Sequence, residues 1–117
     1  ARLDISGLCI TLRDAAVETG VFPKAGIRVR ATPCNHFAMA NDSDAHAYLD
    51  ISCRLRRGRS NEAKQLATDK IFKAAEDYCA ELMSNTSFML SFEMREIDPN
   101  LSRKSSSIRR YLAGETT

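Results

Sequence analysis

The eleven residues HAYLDISCRLR, His46 to Arg56, constrain this chain more than any other stretch. Ala47, Leu49, Ile51, Cys53 and Leu55 alternate without a break with His46, Tyr48, Asp50, Ser52, Arg54 and Arg56. Side chains of a strand point alternately to opposite faces, so the run reads as one strand, apolar on one side and polar on the other. Such a strand belongs to a sheet covered by helices on one side only. Gly58-Arg59-Ser60 then opens a long helical pattern, Ser60 to Met83. Ser60 suits the cap and Glu62 the first turn, where the helix dipole favours negative charge. Leu66, Ala67, Ile71, Ala74, Tyr78, Cys79 and Leu82 recur at helical spacing. After a turn at Asn85, Ser87 to Glu96 reads as another strand, with Phe88, Leu90, Phe92 and Met94 on one face. Strand, long helix and strand make a β-α-β unit.

The first half is shorter. Asp4 to Val17 reads as a helix capped by Asp4, with Leu8, Cys9, Leu12 and Ala16 at helical spacing and Gly20 just past its end. Gly26 to Thr32, GIRVRAT, reads as a strand with Ile27, Val29 and Ala31 on one face and Arg28, Arg30 and Thr32 on the other. Pro33 to Asp44 is a polar connection. The order α-β-β-α-β would become a duplicated β-α-β if one strand preceded residue 1, and the pattern predicts that such a strand is missing from this chain. The tail from Ser102 is rich in Ser and Arg, with a short helix expected from Ile108 to Leu112 before a frayed end. At 117 residues, the chain is expected to form a single domain over 1–117, its tail spanning 102–117. The fold class expected is α/β (α+β), with helices on one face of the sheet.

Charge and cysteine usage narrow the function classes. There are 17 basic and 15 acidic residues, a net charge of +2. That is too even for a protein that coats a polyanion, so nucleic acid is not an expected partner. Cys9, Cys34, Cys53 and Cys79 form no CxxC pair, so neither a zinc site nor a disulfide framework is indicated. Reduced thiols point to the cytoplasm. No apolar run approaches the roughly 20 residues of a membrane span, so no membrane partner is expected. No signal peptide is visible, and a start at Ala1 rather than Met suggests trimming.

Six arginines stand out: Arg28, Arg30, Arg54, Arg56, Arg57 and Arg59, with no lysine among them between residues 28 and 59. Arginine is the side chain best suited to bidentate carboxylate or phosphate binding. Arg59 also sits where a helix begins, and a helix N-terminus favours anions. A solvated sheet face or a subunit interface explains the same pattern equally well. His36 and His46 lack metal-ligand spacing. RRGRS lacks the glycine-lysine pattern of a phosphate loop, and no GxSxG is present. Cys34, in a loop after Pro33, is the thiol to test for reactivity. Glu93 and Asp50 lie on polar strand faces, as partners for arginine or as acids and bases.

Three runs carry a resemblance: ETGVFPKAGIRVR (Glu18 to Arg30), RRGRSNEAK (Arg56 to Lys64) and LSFEMREIDPNLSRK (Leu90 to Lys104). Together they resemble the 5-carboxymethyl-2-hydroxymuconate isomerase family of the tautomerase superfamily, across nearly the whole chain. The resemblance implies a tautomerase-like duplicated β-α-β fold with a four-stranded sheet, assembled as a homotrimer with sites near subunit boundaries. It implies a cofactor-free, metal-free isomerase moving a proton in an unsaturated polycarboxylate, within bacterial homoprotocatechuate degradation. The family's base is an N-terminal proline, whereas Pro23, Pro33 and Pro99 are internal, so no catalytic residue is expected within these residues. Substrate-binding positions carried over by motif are Arg28 in GIRVR and Arg59 in GRS, with Arg30 weaker. Two rival readings are a noncatalytic carboxylate-binding protein on the same scaffold and an RNA-binding domain. The second is disfavoured because only Tyr48 offers an aromatic ring on the polar strand face.

Overall fold

The computed structural model describes residues 3–41 and 45–112. The frayed end expected beyond Leu112, residues 42–44 of the polar connection, and the first two residues lie outside the described residues. The elements are α1 (Ile5–Thr19), a 3₁₀ turn (Lys24–Gly26), β1 (His46–Arg56), α2 (Asn61–Tyr78), α3 (Ala80–Asn85), β2 (Ser87–Ile97), and 3₁₀ turns at Pro99–Leu101 and Ile108–Tyr111.

Local chemistry sets the helix ends. The Asp4 carboxylate accepts from the Gly7 amide at 3.1 Å, satisfying one of the donors left without an intrahelical partner at the start of α1. Gly20 closes that helix in the left-handed region, φ 69°, and its N–H donates to the Val17 carbonyl. Ser60 caps α2 by accepting from the Ala63 amide at 3.1 Å. The helix expected to run unbroken to Met83 instead pauses at Cys79, φ −96° and ψ 7°, and resumes as α3.

β1 and β2 pair in parallel, from His46 opposite Ser87 to Arg56 opposite Ile97. A parallel pair cannot be joined by a hairpin, and α2 is the crossover that joins this one. Leu8, Leu12, Ala15 and Ala16 of α1 meet Ile71 and Ala75 of α2 in the core. Leu49, Ile51, Leu90 and Phe92 pack beneath them from the sheet. The buried line of α2 is Ala67, Ile71 and Ala75, one every four residues. Leu66, expected on that line, is exposed instead, because it sits about 100° round the helix from Ala67. Small alanines on both helices let them approach closely over the sheet.

The strand expected over Gly26–Thr32 needs correction. Residues 27–34 run extended but join no ladder among the described residues, so the described sheet has two strands. The alternation is real: Ile27 and Val29 pack on the core while Arg28 and Arg30 are exposed. Alternation reports which way side chains face, whereas a strand also needs a neighbour for its backbone groups. No helix of the described residues is long and apolar enough to cross a membrane.

Candidate functional site

The sheet has two unlike faces. Away from the helices, Tyr48, Asp50, Ser52 and Arg54 of β1 stand opposite Met89, Ser91, Glu93 and Arg95 of β2. Polar contacts cross this face. Ser91 Oγ donates to Asp50 Oδ1 at 2.6 Å, and the Tyr48 hydroxyl meets Ser91 Oγ at 3.0 Å. Arg95 donates to Ser52 Oγ at 3.0 Å and stands 3.7 Å from Glu93. Asp50, expected as a partner for arginine or as an acid or base, is thus engaged by a serine. Where the strands end, Arg54 and Arg95 share an open hollow with Glu96, Asp98 and Ser102. At the opposite end of β1, His46 bonds Ser87 through Nδ1 at 2.7 Å and Asn41 through Nε2 at 2.8 Å.

Arg59 differs from the other arginines of the sequence cluster. Its Nε donates to the Val21 carbonyl at 3.1 Å and its Nη1 to the Arg56 carbonyl at 3.2 Å. The guanidinium lies over the Phe22 ring, 5.8 Å from the centroid, within the range of a cation–π contact. Arg59 directly precedes Ser60, the cap of the 18-residue helix α2. Nη2 makes no hydrogen bond to a described residue and is the donor left for a carboxylate.

Arg28 and Arg30 project from the extended segment with exposed side chains and no hydrogen bond or ion pair to a described residue. No described contact brings either of them onto Arg59, and none of the three lines the Arg54–Arg95 hollow. His36 and Cys34 are exposed. Cys79 is buried, and burial pushes its thiol and that of half-buried Cys53 up. No group of three or more histidine, cysteine or acidic side chains gathers at metal-binding range among the described residues.

Sequence reasoning singled out Arg59 but not the groups that hold it. Val21 and Phe22 lie inside the GVFP stretch, whose one legible signal was an aromatic fixed in front of a proline.

Comparison with known proteins defines the class. A crystal structure of a 5-carboxymethyl-2-hydroxymuconate isomerase from Deinococcus radiodurans R1 superposes with a TM-score of 0.85 at 28% identity, over 92% of this chain and 82% of that one. A second crystal structure, of a 5-carboxymethyl-2-hydroxymuconate delta-isomerase, gives 0.82 at 27% identity, over 98% and 87%. Helices layered on one face of a small parallel sheet therefore mark a tautomerase-like isomerase fold. The chain is 31% identical over 105 residues to the 5-carboxymethyl-2-hydroxymuconate Delta-isomerase of Escherichia coli, spanning 90% of this chain and 83% of that protein. The family model for 5-carboxymethyl-2-hydroxymuconate isomerase matches residues 1–112, and the chain belongs to this family of enzymes.

Proposed function

We propose that this chain is a cofactor-free isomerase that moves a proton within an unsaturated polycarboxylate of the 5-carboxymethyl-2-hydroxymuconate type, in homoprotocatechuate degradation. Arg59 holds one substrate carboxylate, Arg28 a second, and Arg30 contributes less. The observation that carries this reading is the fixed Arg59 guanidinium, with Nη2 uncommitted, at the N-terminus of α2. Isomerisation spreads negative charge over a dienolate, and a cation already in place stabilises that charge without having to reorganise. The relatives compared are all named isomerases, which favours turnover over binding alone.

The base that the family resemblance implies is an N-terminal proline amine. Pro23, Pro33 and Pro99 are internal and carry no such amine, so the roles proposed are those of the carboxylate-binding arginines alone. The chain is assigned to one domain, to the cytoplasm, and to a homotrimer whose subunits meet on the helix-free side of the sheet. Tyr48 and Met89, 51% and 60% exposed in the single chain, lie on that side.

Calorimetric titration with a conjugated dicarboxylate such as muconate tests the arginine roles. Arg59→Ala should weaken binding at least tenfold, since a hydrogen bond to a charged group contributes about 1.5–3 kcal/mol. Arg28→Ala should weaken it less. Wild-type affinity in both variants would sink this assignment.

A further inference from the structure

Arg59 is held on three sides in the single chain, before any ligand is present. Carbonyls take Nε and Nη1, and the guanidinium lies over the Phe22 ring, 5.8 Å from its centroid. An unrestrained arginine samples many rotamers, and ordering it at the moment of binding opposes affinity. Here that ordering is built into the fold. The hydrogen bonds direct two edges of the guanidinium, and the ring provides a cation–π contact over its face. What remains outward is Nη2, with whatever Nη1 has to spare, a forked donor matched to a planar carboxylate.

The support beneath Arg59 is itself constrained. Thr19 Oγ donates to the Ala16 carbonyl at 2.7 Å and accepts from the Val21 amide at 3.2 Å, fixing the turn that leaves α1. Gly20 in that turn has φ 69°, a region other side chains enter only under strain. Pro23 follows, and a residue before proline is confined to extended backbone. The ring of Phe22, so directed, packs against the α1–α2 core. The turn that ends α1 and the loop that begins α2 therefore meet at a single guanidinium, 38 residues apart in sequence.

We propose that Phe22 is the positioning residue of this site. Through this cation–π contact it holds the Arg59 guanidinium in place to receive a carboxylate of an unsaturated polycarboxylate, and so sets affinity without touching the ligand. The proposal rests on the reading of Arg59 as a carboxylate binder, and its test separates the two.

The test uses the full chain with muconate as probe, in the wild type and in Arg59→Ala, Phe22→Leu and Phe22→Trp. Phe22→Leu keeps apolar bulk but removes the π face, whereas Phe22→Trp restores it. Phe22→Leu is expected to weaken muconate binding about three- to fivefold, and Phe22→Trp to return it to within about twofold of wild type. In ¹H–¹⁵N spectra of the wild type, the Arg59 Nε–H should exchange more slowly than those of the exposed arginines. In Phe22→Leu its exchange should quicken toward theirs, and in Phe22→Trp slow again. Wild-type affinity in Phe22→Leu together with loss in Arg59→Ala would overturn the positioning role alone. Wild-type affinity in Arg59→Ala would overturn the reading beneath it. The wild-type spectrum needs no variant to fold, and an Arg59 Nε–H that exchanges as fast as those of the exposed arginines would overturn the proposal on its own.

Discussion

The two faces of the β1–β2 pair come from the same eleven-residue ladder and follow different rules. On the covered face, Leu49, Ile51, Leu90 and Phe92 are held by contact with two helices, with no directional bonds of their own. On the open face, Tyr48, Ser91, Asp50, Ser52 and Arg95 are held by hydrogen bonds in contact with water. Removing apolar area from water stabilises the first face in proportion to the area covered. The second gains little, because each of its bonds replaces one to water. The difference teaches that order in a side chain and stability drawn from it are separate quantities.

The largest loss is expected from a cut into the covered side. Leu8 is 2% exposed at the centre of the α1–α2 contact. Leu8→Ala should cost about 2–5 kcal/mol in denaturant unfolding, and a loss below 1 kcal/mol would mean that the helical layer is not the main source of stability.

Alkaline pH probes the same side more gently. Burial raises the thiols of Cys53 and Cys79 above their ordinary 9.0. The folded chain therefore holds these protons more tightly than the unfolded chain does. Their contribution is whole below about pH 9 and declines as pH rises through the folded-state values. Replacing both by alanine should flatten the fall in thermal midpoint above about pH 9, and an unchanged slope there would refute the linkage.

The smallest effect is expected on the open side. Tyr48→Phe deletes a hydroxyl bonded to Ser91 at a half-exposed position, and should change stability by about 0.5 kcal/mol or less. A larger loss that grows as the protein is diluted would show this face covered by another subunit.

The same division governs what could be read from the residues. β1 emerges with its bounds intact because period-two alternation has no helical counterpart. α1 and α2 emerge with their caps, since Asp4, Gly20 and Ser60 each act within three residues of the groups they satisfy. The pause at Cys79 was not legible, because the pattern on both sides of it stays helical. Gly26–Thr32 misled for a different reason: its sidedness was correct, but a strand depends on a partner that sequence proximity does not supply. At the site, Arg59 was legible from its place at a helix start within a resemblance. Its restraint by Val21 was not, because that bond spans a turn, a connection and a strand. Arg28 and Arg30 were found as a pattern, and nothing in the described residues yet fixes where their charges rest.

The parallel ladder also carries a kinetic consequence. Its first bonded neighbours, His46 and Ser87, are separated by 41 residues. Bringing such distant segments together loses chain entropy before any ladder bond compensates, and the loss grows with the logarithm of the span. When α2 forms first, its 18 residues become a rod about 27 Å long, and much less loose chain remains to be closed. The residue that caps α2, Ser60, thereby acts on the sheet as well, although it belongs to neither strand. Assembly of the two strands is in this sense governed from between them, by a helix whose own bonds are all local.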